Sequence, residues 1–171
     1  YSQRFAEANV DISRITTLEH IQELPFTTKH DLRLSYPDGM LSVPKEKVVR
    51  LHASSGTTGK STVIFYTKND IDAWSDQVCR GMYAAGMRPS DVFQNMMGYG
   101  LFTGGLGLHY GAEKLGCLVI PSATGNSPKQ IELMQDFSAT IMHITPSYAL
   151  HLAEIVQKEM GIDPRDLSVK K

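Results

Sequence analysis

The sequence has few cysteines, and this scarcity excludes two classes of small domain. Cys79 and Cys117 are the only two among 171 residues, and neither has another Cys or a His at metal-site spacing. A disulfide framework and a structural zinc site are therefore not indicated. We expect both thiols to be reduced, buried packing residues in a cytoplasmic protein.

Long apolar runs and an excess of charge are missing as well. No apolar run approaches the roughly 20 residues that cross a bilayer. Lys and Arg total 17 against 18 Asp and Glu, so no basic stripe indicates nucleic acid. We expect small-molecule partners, no nucleic acid and no membrane. The oligomeric state stays open, with a homodimer among the alternatives.

The first 47 residues differ in pattern from the rest of the chain. Short helical patterns are broken by Pro25, Pro37, Gly39 and Pro44, with a helix start at residues 27–31. We interpret residues 1–47 as a helical and irregular packing arm. Residues 48–171 are predicted to form an α/β part, because strand-like and helix-like segments alternate there. The chain begins without a start methionine or a targeting signature, which indicates an internal piece of a longer chain.

The second part alternates strand-like and helix-like segments. Two β-branched and aromatic runs, 48–53 and 63–66, flank a Gly/Ser/Thr-rich loop, which predicts two strands joined by a long hairpin loop. Later strands are predicted at residues 92–97, 117–121 and 140–145, and helices at residues 67–86, 103–115, 127–137 and 146–160. The helix at 67 begins with a Thr67 and Asp70 capping box, and the helix at 127 is expected to use Ser127 as its N-cap.

This alternation favours an α/β fold with a mostly parallel sheet flanked by helices. Ligands bind beyond the carboxyl ends of the strands in such sheets. The candidate ligand loops are residues 98–105, 122–127 and 146–147.

The loop between the first two strands has the composition of a phosphate site. Glycines allow a nest of backbone N–H groups, hydroxyls add donors and a lysine adds charge. A Walker A loop is excluded, because Ser54 stands where its first glycine is required and a strand follows where a helix must begin. On composition alone, an ordinary surface hairpin stays the alternative. The candidate phosphate ligands are Ser54, Ser55, Gly56, Thr57, Thr58, Gly59 and Lys60.

Six motifs resemble adenylate-forming enzymes, and more narrowly the phenylacetate-CoA ligase family. They occur in the order of that family and span most of the chain. They are residues 24–29 (LPFTTK), 36–40 (YPDGM), 54–60 (SSGTTGK), 99–107 (YGLFTGGLG), 109–113 (HYGAE) and 144–148 (ITPSY).

The resemblance implies a ligase with two half-reactions. ATP and an aryl acid give an acyl-adenylate and pyrophosphate with the help of Mg²⁺, and the thiol of coenzyme A then displaces AMP. Residues 54–60 would hold the β- and γ-phosphates, with catalytic roles for Thr57, Thr58 and Lys60. The chain would form the first part of the large N-terminal domain. The adenine, ribose, Mg²⁺ and coenzyme A contacts would lie beyond Lys171, so we expect no metal ligand in this chain and no activity from it alone.

The resemblance also assigns an acid-binding loop. The ring of Tyr99 would line the aryl acid pocket, with Gly100, Leu101 and Phe102 nearby, although core packing stays an alternative for both aromatic rings. His52, His109 and His143 lie in apolar segments near this proposed site. We expect them to be hydrogen-bonded structural residues, and none is assigned as a general base.

Two departures from the family pattern leave the substrate open. Ser61 stands where relatives usually have proline, and Met96-Met97 stands where they often have Ala-Tyr. Phenylacetate is the leading acid. The alternatives are another aryl acid, another acceptor such as a carrier protein or an amine, and a non-catalytic phosphate-binding module.

Overall fold

The computed structural model describes residues 1–54, 59 and 61–170, and the chain divides into two compact units. These units are Tyr1–Phe65 and Tyr66–Lys171. The boundary that the sequence suggests after residue 47 marks a change in the residue pattern, and not in packing. It stays a prediction. Within the described ranges, no helix is long and apolar enough to cross a membrane.

The first unit is built from short elements. Helices α1 (Ser2–Glu7) and α2 (Lys29–Leu34) are joined by 3-10 turns at Ile12–Arg14 and Leu18–Glu23, and a further turn at Lys45–Lys47 leads into a strand. Helix α2 begins at the predicted point, because Asp31 accepts a hydrogen bond from the Thr28 N–H (2.7 Å). A contact from the Arg4 guanidinium lowers the pKa of Asp31 below its usual range. None of residues 1–47, all of which are described, is buried.

The predicted pair of strands around the Gly/Ser/Thr-rich loop is confirmed. Strands β1 (Val48–Ala53) and β2 (Val63–Thr67) form a two-stranded sheet. The long helix α3 (Lys68–Ala84) follows at once, with the predicted capping box at its start. In this box the Thr67 N–H donates to Asp70 Oδ2 (2.8 Å), which lowers the pKa of the Asp70 carboxyl.

The second unit holds the predicted parallel sheet. Strands β3 (Val92–Asn95), β4 (Leu118–Ile120) and β5 (Ile141–His143) are parallel in the order β4-β3-β5. Helices α4 (Gly104–Leu115), α5 (Ser127–Asp136) and α6 (Pro146–Lys158) alternate with them, and a 3-10 turn at Pro164–Asp166 follows. The α/β fold class is therefore confirmed.

Two details of the sequence prediction are wrong. The three strands are shorter than expected; β3 ends at Asn95, because the Met97 N–H turns back to the Asn95 side chain (3.3 Å). The N-cap of α5 is Asn126 rather than Ser127. Asn126 has a left-handed backbone (φ 52°), and its side chain accepts a hydrogen bond from the Lys129 N–H.

The central strand β3 separates two apolar clusters. Phe93 belongs to a cluster with residues of α3 and α4, whereas the neighbouring Val92 packs against a cluster formed largely by α5 and α6. Successive side chains of a strand point to opposite faces, so both faces of the sheet are covered by helices. Both cysteines are free thiols as expected, but only Cys117 is buried and Cys79 is half-buried.

Glycines let α3 and α4 approach closely. A Cβ at Gly107 would lie 2.4 Å from Trp74 Cζ2, and a Cβ at Gly111 would lie 2.3 Å from Val78 Cγ1. Both distances are too short for a side chain to fit unless a neighbour moves. Each glycine costs the helix about 1 kcal/mol relative to alanine, so close packing explains their presence.

We predict that Gly111→Ala lowers the free energy of unfolding by about 1–3 kcal/mol, because overpacking outweighs the gain in helix propensity. The matched control is Gly81→Ala on α3, where nothing lies within 4 Å of the added Cβ. It should raise the free energy of unfolding by about 0.5–1 kcal/mol. Urea denaturation measures both, and an equal response of the two variants would contradict the packing account.

Candidate functional site

The candidate site lies at the carboxyl end of the parallel sheet. Strand β3 ends at Asn95, β4 at Ile120 and β5 at His143. The loops that follow these strands are residues 96–103, 121–126 and 144–145. They include residues 98–103 and 122–126 of the predicted ligand loops, whereas residues 104–105, 127 and 146–147 lie in the first turns of α4, α5 and α6. Ligands of such sheets bind at this edge.

A buried amide side chain, that of Asn95, joins the residues at this edge. Its Nδ2 donates to the Tyr99 hydroxyl (2.8 Å) and to the Gly105 carbonyl (2.8 Å). Its Oδ1 accepts from the Met97 N–H (3.3 Å) and lies 2.9 Å from His143 Nδ1. All the hydrogen-bonding positions of a carboxamide are thereby used.

The backbone of the same residue holds the loop after β4. The Asn95 carbonyl accepts hydrogen bonds from the Ala123 N–H (3.1 Å) and the Ser122 hydroxyl (3.3 Å). The same loop is also held by Gln130 of α5, whose Nε2 donates to the carbonyls of Ala123 (3.0 Å) and Gly125 (3.1 Å). These bonds hold Ala123 in a left-handed conformation (φ 58°) that alanine rarely adopts.

The hydroxyl of Tyr99 is engaged inside the protein. Because Asn95 donates to it, its own proton is directed to His109 Nδ1 (3.0 Å), which leaves His109 Nε2 to donate to Glu113 (3.0 Å). The two rings meet edge to face, with centroids 5.7 Å apart. Burial raises the pKa of Tyr99, which keeps the phenol protonated. A ligand would therefore meet the ring of Tyr99 rather than a free hydroxyl.

The rest of the predicted acid loop is exposed. Leu101 and Phe102 are 63% and 65% exposed, so neither is a core residue. A Cβ at Gly104 would lie 3.5 Å from Met97 Cε and 3.8 Å from Phe102 Cδ1, so both side chains lie beside Gly104. Gly100 is also exposed. Of the two methionines that depart from the family pattern, Met96 lies in the core and only Met97 borders the acid loop.

The predicted phosphate loop belongs to the first unit, and the structure describes two of its residues. Ser54 follows β1; its N–H donates to the Thr62 carbonyl (3.0 Å) and its hydroxyl accepts from the Thr62 N–H (3.1 Å). The hydroxyl keeps a proton that it can donate. Gly59 is exposed and has φ 132°, a conformation that favours glycine. The other predicted ligands, Ser55, Gly56, Thr57, Thr58 and Lys60, lie outside the described residues.

Sequence reasoning missed Asn95 and Gln130. A signal for Asn95 was present, because Gln94 and Asn95 are two amides inside a segment predicted to be a buried strand. Buried amides need hydrogen-bond partners, so such a pair marks a polar network. Gln94 is fully buried as well, and its Nε2 donates to Gln130 Oε1 (2.9 Å).

Two of the histidines are hydrogen-bonded within the protein, as expected: His109 to Tyr99 and His143 to Asn95. His52 is buried, and His143 stacks on Phe93 with ring centroids 6.0 Å apart. Burial lowers the pKa of His143 below its usual value of 6.5, so its neutral form, with the proton on Nδ1 facing Asn95, is favoured in the folded protein.

We predict that acid weakens the fold through His143. As the pH falls below 6.5, His143 binds a proton in the unfolded chain before it does so in the folded chain. The stabilisation that is present above pH 6.5 is therefore lost as the pH falls through the pKa of His143 in the folded state. His143→Asn, which keeps a donor for Asn95, should reduce the fall in the free energy of unfolding between about pH 7 and pH 5. The exposed His30 on α2, changed to Asn, is the control for the loss of a histidine as such. Equal pH profiles for wild type and His143→Asn would contradict this reasoning.

Comparison with known proteins identifies relatives of the whole chain. No protein-family model matches it. It is 54% identical to the phenylacetate-coenzyme A ligase of Pseudomonas putida and 51% identical to that of Aromatoleum evansii, over 99% of this chain and 38% of each relative. The corresponding ligase of Escherichia coli (strain K12) is 48% identical over 99% of this chain and 39% of its own length. The chain thus spans about two fifths of the curated relatives it matches.

Solved structures of a CoA ligase share the fold of this chain. A 2-hydroxyisobutyryl-CoA ligase in complex with 2-HIB-AMP and CoA, in the thioesterification state, superposes with a TM-score of 0.89 at 30% identity. The match covers 99% of this chain and 37% of that one. An open conformation of the same ligase gives a TM-score of 0.87 at 28% identity, over 99% of this chain and 41% of that one. Over the length that it spans, the chain is thus a homologue of the phenylacetate-coenzyme A ligases, as its motifs indicated.

Proposed function

We propose that this chain is part of an ATP-dependent ligase that activates an aryl acid as an acyl-adenylate and transfers it to coenzyme A. The observation that carries the proposal is 48–54% identity to phenylacetate-coenzyme A ligases along 99% of the chain. Because the chain spans about two fifths of their length, the activity is proposed for the full-length protein. Phenylacetate is the first candidate for the acid.

The proposed first step is displacement of pyrophosphate from ATP. A carboxylate oxygen of the acid forms a bond to the α-phosphorus, and the bond from that phosphorus to the oxygen of the leaving pyrophosphate breaks. Charge builds up on the leaving phosphates, so donors held in advance around them lower the barrier. We assign this task to residues 54–60, with Thr57, Thr58 and Lys60 as the catalytic group. The conformation of Gly59 and the hydroxyl of Ser54 fit this role.

The acid is proposed to bind against the ring of Tyr99. Offset or edge contacts between aromatic rings contribute about 0.5–1.5 kcal/mol beyond burial, which favours a phenyl group over an aliphatic one. The Tyr99 hydroxyl is already bonded to Asn95 and His109, so the ring recognises the shape of the acid rather than a polar substituent. Gly100, Leu101, Phe102 and the neighbouring Met97 would complete the wall.

For the second half-reaction, the resemblance implies that the coenzyme A contacts lie beyond Lys171. We propose that the thiolate of coenzyme A attacks the acyl carbon and that AMP leaves. Mg²⁺ is expected to accompany ATP, but the described residues contain no group of three or more His, Cys, Asp or Glu side chains that could hold a metal ion. No step is assigned to the ion. A cytoplasmic location and a homodimer stay predictions from the sequence.

The test is ATP–pyrophosphate exchange by the full-length protein with phenylacetate, its hydroxy derivatives, benzoate and indole-acetate. We expect exchange to be fastest with phenylacetate and thioester to form when coenzyme A is added. Exchange with none of these acids would overturn the ligase proposal. Exchange without thioester would instead point to a carrier protein or an amine as the acceptor.

Two variants separate the two loops in the same assay. Lys60→Ala should slow adenylate formation and leave the KM for the acid largely unchanged, because its charge acts on the phosphates. Tyr99→Ala should raise the KM for the acid, because it removes the aromatic wall. Identical losses in both variants would argue that the loops are only structural.

A further inference from the structure

We infer that Asn95 is the positioning residue of the acid-binding loop and determines how the Tyr99 ring is presented to the acid. The inference rests on the proposed function of the loop. Asn95 lies in the sheet rather than in the loop, and it is fully buried. It acts through Tyr99 and not by contact with the acid.

Three of its hydrogen bonds are distributed along the loop. The Met97 N–H is held near the start of the loop, the Tyr99 hydroxyl in its middle and the Gly105 carbonyl in the first turn of α4. One rigid, planar group thus determines the spacing between the strand end, the ring and the helix. The Met97 N–H can only donate and the Gly105 carbonyl can only accept, so these two partners fix which way the amide faces. His143 Nδ1 then lies against the amide oxygen as the fourth partner.

Close packing makes the loop sensitive to this anchor. A Cβ at Gly105 would lie 2.5 Å from the Gly98 carbonyl oxygen, so the start of α4 presses against the backbone of the loop. The Tyr99 ring is held edge to face on His109 while its hydroxyl is shared between Asn95 and His109. If the amide donor is lost, the hydroxyl keeps one partner, and the ring can rotate away from its position.

Other residue types cannot replace the amide. A carboxamide donates two hydrogen bonds and accepts at least two, and Asn95 uses both functions. An aspartate of the same shape could still accept from Met97 and His143, but an ionised carboxylate has no proton to donate to the Gly105 carbonyl. It would instead accept the Tyr99 proton that is now directed to His109. Asn95→Asp therefore removes the bond to the helix, reverses the bond to the ring and takes the Tyr99 proton away from His109, while it keeps the bonds to Met97 and His143.

The experiment measures KM for phenylacetate and for ATP in pyrophosphate exchange by the full-length protein. Asn95→Asp should raise the KM for the acid by about tenfold or more, since a buried group left without a partner is costly. The KM for ATP should be largely unchanged. A merely structural role would lower the amount of active enzyme, and hence the apparent kcat, and would not move the KM for one substrate.

The matched control is Thr140→Val, at the opposite end of the same sheet. The Thr140 hydroxyl contacts the Val92 N–H (3.0 Å) and Asp91 Oδ1 (2.9 Å), so its loss disturbs another part-buried polar group. This variant should lower the thermal stability and leave both KM values unchanged. A rise in the KM for the acid equal to that of Asn95→Asp would overturn the inference.

If Asn95→Asp does not fold, Tyr99→Phe provides the test. It retains the ring and removes the anchored hydroxyl, so it should also raise the KM for the acid. If both single variants fold, their effects should be less than additive in the double variant, because both alter the same contact between residues 95 and 99. If the wild-type protein catalyses exchange and neither variant changes the KM for the acid, this inference is overturned and the proposed function stands. A wild-type protein without exchange would overturn the proposed function and this inference with it.

Discussion

The arrangement of the candidate site depends on the need of one buried amide for partners. Asn95 ends the central strand of a parallel sheet that is covered by helices on both faces, so water cannot satisfy its side chain. The partners come from the strand on one side and from the following loop and helix. Its backbone carbonyl holds the loop from the strand on the other side. One residue therefore ties together the loops that follow β3 and β4 and the last residue of β5.

This constraint explains how an exposed loop can present a defined surface. Leu101 and Phe102 project into solvent, yet the loop that carries them is held by Asn95 and Gly105 within the protein. Tyr99 uses its hydroxyl for that attachment and offers its ring. A hydroxyl used for attachment and a ring left for contact suit the proposed recognition of an aromatic acid, in which shape matters more than a polar contact.

Local features were predictable from the sequence, and long-range polar contacts were not. The capping box at Thr67 and the two strands around the Gly/Ser/Thr-rich loop follow from neighbouring residues, and both predictions are confirmed. The bond between Asn95 and His143 joins residues 48 positions apart, which no local pattern contains. The N-cap at Asn126 was missed because Ser127-Pro128 carries an equally good local signal. The roles of residues 54–60 rest on their resemblance to a family.

The most direct test of the account is a crystal structure of the full-length protein with a non-hydrolysable phenylacetyl-adenylate analogue. The account predicts that the phenyl ring packs against Tyr99, with ring centroids about 4.5–7 Å apart. The Tyr99 hydroxyl should keep its bonds to Asn95 and His109. A phenyl ring bound away from Tyr99, or a Tyr99 hydroxyl released from Asn95 to contact the ligand, would contradict it.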